Sequence, residues 1–256
     1  MLEALNPYPF PRKALEVATQ RSTQKRNEEL TQGVYSAWDF FHETTESYQD
    51  SFQRVFPIGI REHIRQRLAE NGVCYAFDVM GPGTAISHTG LTEGLALTLN
   101  TGLAKVSPEI SVIDGDVNLR RNWRRAHSWL KERNIPGFDL VVFRPLFGLR
   151  FLPFNPRGHF ALLQRMWSVL NPNGGVLLAE GHRVFSDDMQ VLLTSWDKTN
   201  AIEYSAHFPP KNYVDFLLRL TKHPDSPKML PTPSREDIIE AQPSSLFYSL
   251  TDRGFS

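Results

Sequence analysis

Residues 74–85 read CYAFDVMGPGTA, a short apolar run that stops at a glycine-proline-glycine turn. The run is too short for a helix and its breakers follow at once, so it reads as a strand feeding a tight turn. Similar runs recur downstream: GLALTL (94–99), ended by Asn100-Thr101-Gly102, EISVIDGDV (109–117), closed at Gly115-Asp116, FDLVVF (138–143) and GVLLAE (175–180). FDLVVF is the clearest of them, apolar and β-branched as a strand buried on both faces must be. Between them, NLRRNWRRAHSWLKERN (118–134) reads as a helix ending before Pro136-Gly137. HFALLQRMWSVL (159–170) places Phe160, Leu163, Trp167 and Leu170 at helical spacing before Asn171-Pro172-Asn173-Gly174-Gly175 breaks it.

Further on, 187–196 reads as helix, AIEYSAHF (201–208) as strand and NYVDFLLRLT (212–221) as helix. The proline-rich HPDSPKMLPTPS then leads to SSLFYSLTD (244–252), read as a last strand. Strands separated by helices give an α/β fold: a Rossmann-like, mostly parallel seven-stranded sheet with helices on both faces. Upstream, RSTQKRNEEL (21–30) offers no apolar stripe and reads as a loosely held arm or surface helix. From Tyr35 to Glu70 the pattern is helical, with Trp38, Phe41 and Tyr48 on one face and Ile60, Ile64 and Leu68 recurring at helical spacing. The expected organisation is an N-terminal arm and helical cap over 1–70 and the sheet domain over 71–256.

Lys plus Arg and Asp plus Glu are both 28, so no global field draws the chain to nucleic acid or an anionic membrane. Cys74 is the single cysteine, which rules out an intramolecular disulfide and reads as a buried core thiol. The N-terminus, MLEALNPYPFPRK, has no apolar core of signal-peptide length, and no run approaches the roughly 18 apolar residues of a membrane span. Cytoplasm is the expected location. The histidines form no HExxH or close pair, so no metal site is expected. Neither a GxSxG elbow nor a phosphate loop of the GxxxxGK[ST] type occurs.

In open sheets of this kind a ligand sits beyond the carboxyl ends of the strands. The residues to read there are Gly81-Pro82-Gly83-Thr84-Ala85, Asn100, Gly115-Asp116-Val117, Arg144-Pro145 and Glu180-Gly181-His182. Glycines let the backbone turn tightly and approach a ligand. A carboxylate at Asp116 suits an amino group, and an arginine at 144 suits a carboxylate or phosphate, or else pairs with a nearby acid. His182 and Glu180 at the same mouth are acid or base candidates.

Taken in order, GPGTA after the first strand, IDGDV, FDLVVF and LNPNGGVLL resemble the class I S-adenosylmethionine-dependent methyltransferases over roughly 71–180. The resemblance implies S-adenosylmethionine as cofactor and methyl transfer to an acceptor that the sequence does not identify. It implies that Gly81 and Gly83 face the cofactor, with Met80 and Pro82 beside them and Asp78 below. Asn100 would stand at the ribose, Asp116 and Val117 at the adenine, and Arg144 beside the reaction centre.

The chain departs from the family in three places. Val79 holds the position of the usual acid, with Asp78 one step back and on the opposite face of an ideal strand. Asn100 replaces an acid. Residues 86–93 are too few for a full first helix. These departures support an alternative: a degenerate methyltransferase fold kept as a non-catalytic binding or scaffold protein. A nicotinamide dehydrogenase is a third reading, but Ile86 stands where GxGxxG needs its last glycine. Arg120, Arg121, Arg124 and Arg125 share a helical face interleaved with Trp123 and Trp129. That face reads either as a nucleic-acid surface or, as favoured, as a solvated face whose tryptophans pack on the sheet. Asp116 reads alternatively as the cap of the helix that follows.

Overall fold

A computed structural model describes residues 44–98, 107–144, 156–182, 186–200, 202–209 and 215–232. The strands are β1 (Tyr75–Val79), β2 (Glu93–Thr98), β3 (Ile110–Asp114), β4 (Leu140–Phe143), β5 (Gly175–His182), β6 (Glu203–His207) and β7 (Asp215–Lys222). The helices are α1 (Thr45–Phe52), α2 (Ile60–Asn71), α3 (Arg120–Glu132), α4 (Pro156–Val169) and α5 (Ser186–Thr199). The strands form one seven-stranded sheet in the order β3-β2-β1-β4-β5-β7-β6. All neighbours from β3 to β5 pair in parallel, and β7 runs antiparallel to both β5 and β6. The expected α/β class and mostly parallel sheet are therefore found.

A helix is expected over 212–221, but from Asp215 onward, where the described residues resume, the chain is strand β7. FLLRLT satisfies both periods, and the sheet decides between them. Phe216, Leu218 and Leu220 are buried on one face, while Arg219 on the other reaches Glu203 of β6. The strand expected at 244–252, and Tyr35, Trp38 and Phe41, lie outside the described residues.

Side-chain alternation sorts the core into two layers. Phe77, Val79, Leu95, Leu97, Val141 and Leu177 face α3, α4 and α5, where Trp123, Trp129, Trp167 and Trp196 fill the space. Trp129 stacks on Phe138, with ring centres 5.3 Å apart, so the tryptophans of the arginine-rich helix pack inward as favoured. Ala76, Ala96, Leu140, Val142, Val176 and Leu178 face the opposite way, against Tyr48 and Phe52 of α1 and Ile60 and Ile64 of α2. Thr44 and Ser47 form a reciprocal capping box that fixes the start of α1. Gly72 ends α2 at φ 74°, a left-handed position that a side chain resists. Between β1 and β2 there is no helix. Ala85, Ile86 and Leu91 of the connecting turns are themselves buried and take a helix's place in that layer.

At the amino end of the sheet a polar knot ties α2 to three strands. Asp139 Oδ1 accepts from Arg67 Nη2 at 2.8 Å and from Asn171 Nδ2 at 2.9 Å, and Oδ2 accepts from the Tyr75 N–H at 2.9 Å. The Asp139 carbonyl accepts from Val176 and from the ring of buried His63, 3.2 Å away. Burial holds His63 below the ordinary histidine value of 6.5, against the opposing pull of that carbonyl. The unfolded chain therefore takes up this proton first as pH falls. His63 contributes stability that is full above pH 6.5 and is lost as pH drops through the depressed value. A His63→Gln variant is expected to lose part of the wild-type fall in urea midpoint between about pH 7.5 and 5. An unchanged pH dependence would show that another group carries it.

Candidate ligand-binding site at the carboxyl edge of the sheet

The connection order reverses between β1 and β4, the point at which open α/β sheets leave a crevice. Four strand ends from β3 to β4 span about 14 Å at the usual strand spacing. The β1 end supplies Met80–Gly83, the β3 end Asp116 and Val117, and the β4 end Arg144. Asn100 lies outside the described residues.

Asp78 is fully buried on the α1/α2 face, yet it serves the turn. Met80 adopts φ 66° and Gly83 φ 101°, which brings the chain back over the strand end. The Gly83 N–H then donates to Asp78 Oδ2 at 2.9 Å. A β-carbon on Gly81 would come within 2.2 Å of the same carboxylate. The glycine thus makes room for Asp78, and Gly81, Pro82 and Gly83 are all buried. Thr45 at the start of α1 donates to the carbonyls of Thr84 or Ser87, each 3.3 Å away, and Arg61 donates to that of His88. The turn is held from below by a carboxylate and from the side by two helices.

After β3, the Asp116 carboxylate accepts from the backbone and side-chain nitrogens of Asn118 at 2.8 and 2.9 Å. It does not cap α3: Leu119 is the N-cap residue and no side chain bonds there. Carbonyls in this loop are claimed by helix side chains. Trp123 Nε1 reaches Val117 at 2.7 Å, Asn122 reaches Asp116 at 2.8 Å, and Arg165 from α4 bridges Val117 and Asn118. Burial holds the Arg165 guanidinium below its ordinary value, and the charge of Arg120 adds to that. Sequence reading missed Arg165; its one signal was a charge next to the apolar pair Met166-Trp167.

After β4, Arg144 lies 3.2 Å from Glu180 of β5, both largely buried, with its guanidinium 5.2 Å from the ring centre of Tyr48. Phe143 pairs with Ala179, so the next residue of each strand meets its neighbour. The structural pairing open to Arg144 is thus realised, and Tyr48 of α1 joins it. Burial pushes the Cys74 thiol up to about 12, which removes it as a nucleophile. Among the described residues no cluster of three or more His, Cys, Asp or Glu could hold a metal ion. Among them, too, no helix is long and apolar enough to cross a membrane.

No known protein family matches the sequence, and no curated protein matches it. Among solved structures, the chain is similar to the MycE methyltransferase from the mycinamycin biosynthetic pathway, in complex with Mg, SAH and mycinamycin VI. That match has 15% identity and a TM-score of 0.43, covering 77% of this chain and 54% of that one. It is also similar to an O-methyltransferase from Bacillus cereus in complex with SAH, with 8% identity and a TM-score of 0.38, covering 86% of this chain and 96% of that one. The chain spans about half the length of MycE.

Proposed function

We propose that the chain binds S-adenosylmethionine at the carboxyl edge of the sheet and transfers its methyl group to an acceptor. The observation that carries this reading is the turn Met80–Gly83, held at the switch point by a fully buried carboxylate. Asp78 fixes the turn, Asp116 and Val117 are fixed by α3 and α4, and both flank one crevice. Met80, Asp116 and Arg144 each keep part of their surface exposed. The donor set fits the cofactor: a carboxylate at the β3 end for an amino group and backbone groups at the β1 end. When bound, the cofactor supplies a methyl group on a sulfonium. The protein's part is to align the acceptor with it and exclude water, which needs neither a metal nor a strong base. The Arg144–Glu180 pair forms a fixed polar wall beside that position. In the same reading the protein works in the cytoplasm.

A second reading, a non-catalytic binding or scaffold protein on the same fold, is favoured by one observation. The polar groups at the β1 and β4 ends are engaged internally, Asp78 with Gly83 and Arg144 with Glu180. Calorimetric titration with S-adenosylmethionine and S-adenosylhomocysteine separates the two. Micromolar binding is expected, with Asp116→Ala weakening it about tenfold, close to 1.4 kcal/mol, and leaving the circular dichroism spectrum unchanged. The absence of heat at millimolar ligand would leave the scaffold reading standing.

A further inference from the structure

Helix α3 carries an arrangement that folding does not favour. Arg120, Arg121, Arg124 and Arg125 are all exposed on one face in its first two turns. Like charges four residues apart repel, and cations at a helix N-terminus oppose its dipole. Within the helix the offset is missing: its first turn holds no acidic residue, and no side chain caps it. Among the described residues none of the four arginines forms a salt bridge. Their one recorded bond is from Arg125 to the Asp114 carbonyl, at 3.1 Å. Yet the helix is anchored, because Trp123, Ala126, Trp129 and Leu130 are buried on its other side.

We infer that this arginine face is a docking surface for the phosphate backbone of nucleic acid. All four cations are arginines, whose planar fork grips phosphate oxygens in pairs. Arg120 and Arg124 stand one turn apart, about 6 Å, close to two 3.4 Å steps along a duplex strand. An anionic membrane fits less well, because the apolar stripe an interfacial helix would insert is already committed to the sheet. Among the described residues the face shows no exposed aromatic ring for base stacking, so recognition is of backbone charge and indifferent to sequence. This inference stands apart from methyl transfer and holds for either reading of the site.

The test is fluorescence anisotropy of a labelled 20-base-pair duplex of arbitrary sequence with the full chain, at salt from 25 to 200 mM. A log–log salt slope of about −3 to −4 is expected from four phosphate contacts. Replacing all four arginines by Gln is expected to weaken binding at least tenfold and to flatten the slope. The melting temperature should hold or rise, since the repulsion is relieved. Arg65→Gln, on α2, is expected to leave binding unchanged. The inference is overturned if the wild-type chain does not bind the duplex, or if the quadruple variant binds it equally well. It is also overturned if phosphatidylserine vesicles outcompete the duplex.

Discussion

Asp139→Ala is expected to lower stability by about 3 kcal/mol, the low end of the usual cost of breaking a buried ion pair, because Arg67 keeps the exposed Glu70 at 3.3 Å and the Asn173 carbonyl at 2.9 Å. Arg67 and Asp139 are 12% and 4% exposed, so water cannot replace the missing carboxylate. The Asn171 amide and the Tyr75 N–H lose this acceptor together, and the Arg67 guanidinium loses its buried one. For a chain of this size the melting temperature should fall by roughly 6–12 °C. Asp139→Asn tests the charge separately from the shape. One amide oxygen can still serve Tyr75 or Arg67, but the amide nitrogen then meets another donor. A double-mutant cycle with Arg67→Met should show coupling of about 1–3 kcal/mol. A loss below about 1 kcal/mol for Asp139→Ala would mean that the knot contributes little. The knot lies at the amino end of the strands, away from the crevice, so ligand affinity in variants that still fold should be unchanged.

That separation was partly legible in the sequence. FDLVVF announces a fully buried strand, and the residues on either side of its apolar stretch LVVF, Asp139 before and Arg144 after, sit at opposite ends of it. The polar ends of β1, β3, β4 and β5 could be read because apolar runs stop there and turns begin. What Asp78 does could not. Counting faces on an ideal strand turns it away from a ligand, and it does face α1 and α2. The positive φ at Met80 brings the Gly83 N–H back to it, and a left-handed methionine has no sequence signature. Strand β7 was illegible for a different reason: Phe216, Leu217, Leu218 and Leu220 fit a helix as well as a strand. Only pairing with β5 and β6, which lie elsewhere in the chain, resolves them. The Arg144–Glu180 contact likewise needs the register of β4 against β5 before two distant charges become neighbours.

Gly81→Ala is expected to destabilise the protein by about 1–3 kcal/mol, the usual range for forcing extra volume into a packed site. The reason is space, since Gly81 is not among the glycines with positive φ. Its new methyl would stand 2.2–2.4 Å from the atoms of the Asp78 carboxylate, and Asp78 is fully buried and cannot swing into solvent. Asp78→Ala alone should also destabilise, because it strips the buried Gly83 N–H of its acceptor at a cost of about 1–3 kcal/mol. The two changes are not independent. With Ala at 78 the space beside residue 81 opens, so Gly81→Ala should cost much less in that background. The cycle should therefore close with a favourable coupling of at least 1 kcal/mol, read from urea midpoints of the four proteins. Simple additivity would mean that something other than the carboxylate keeps residue 81 a glycine. Ligand titration of the same proteins gives a second readout. Both single variants disturb the turn and should weaken S-adenosylmethionine binding at least tenfold. The double variant should be about as stable as Asp78→Ala alone and should not recover affinity, because the Gly83 tether is still missing. Affinity that returned in the double variant would show that the tether does no more than hold the fold.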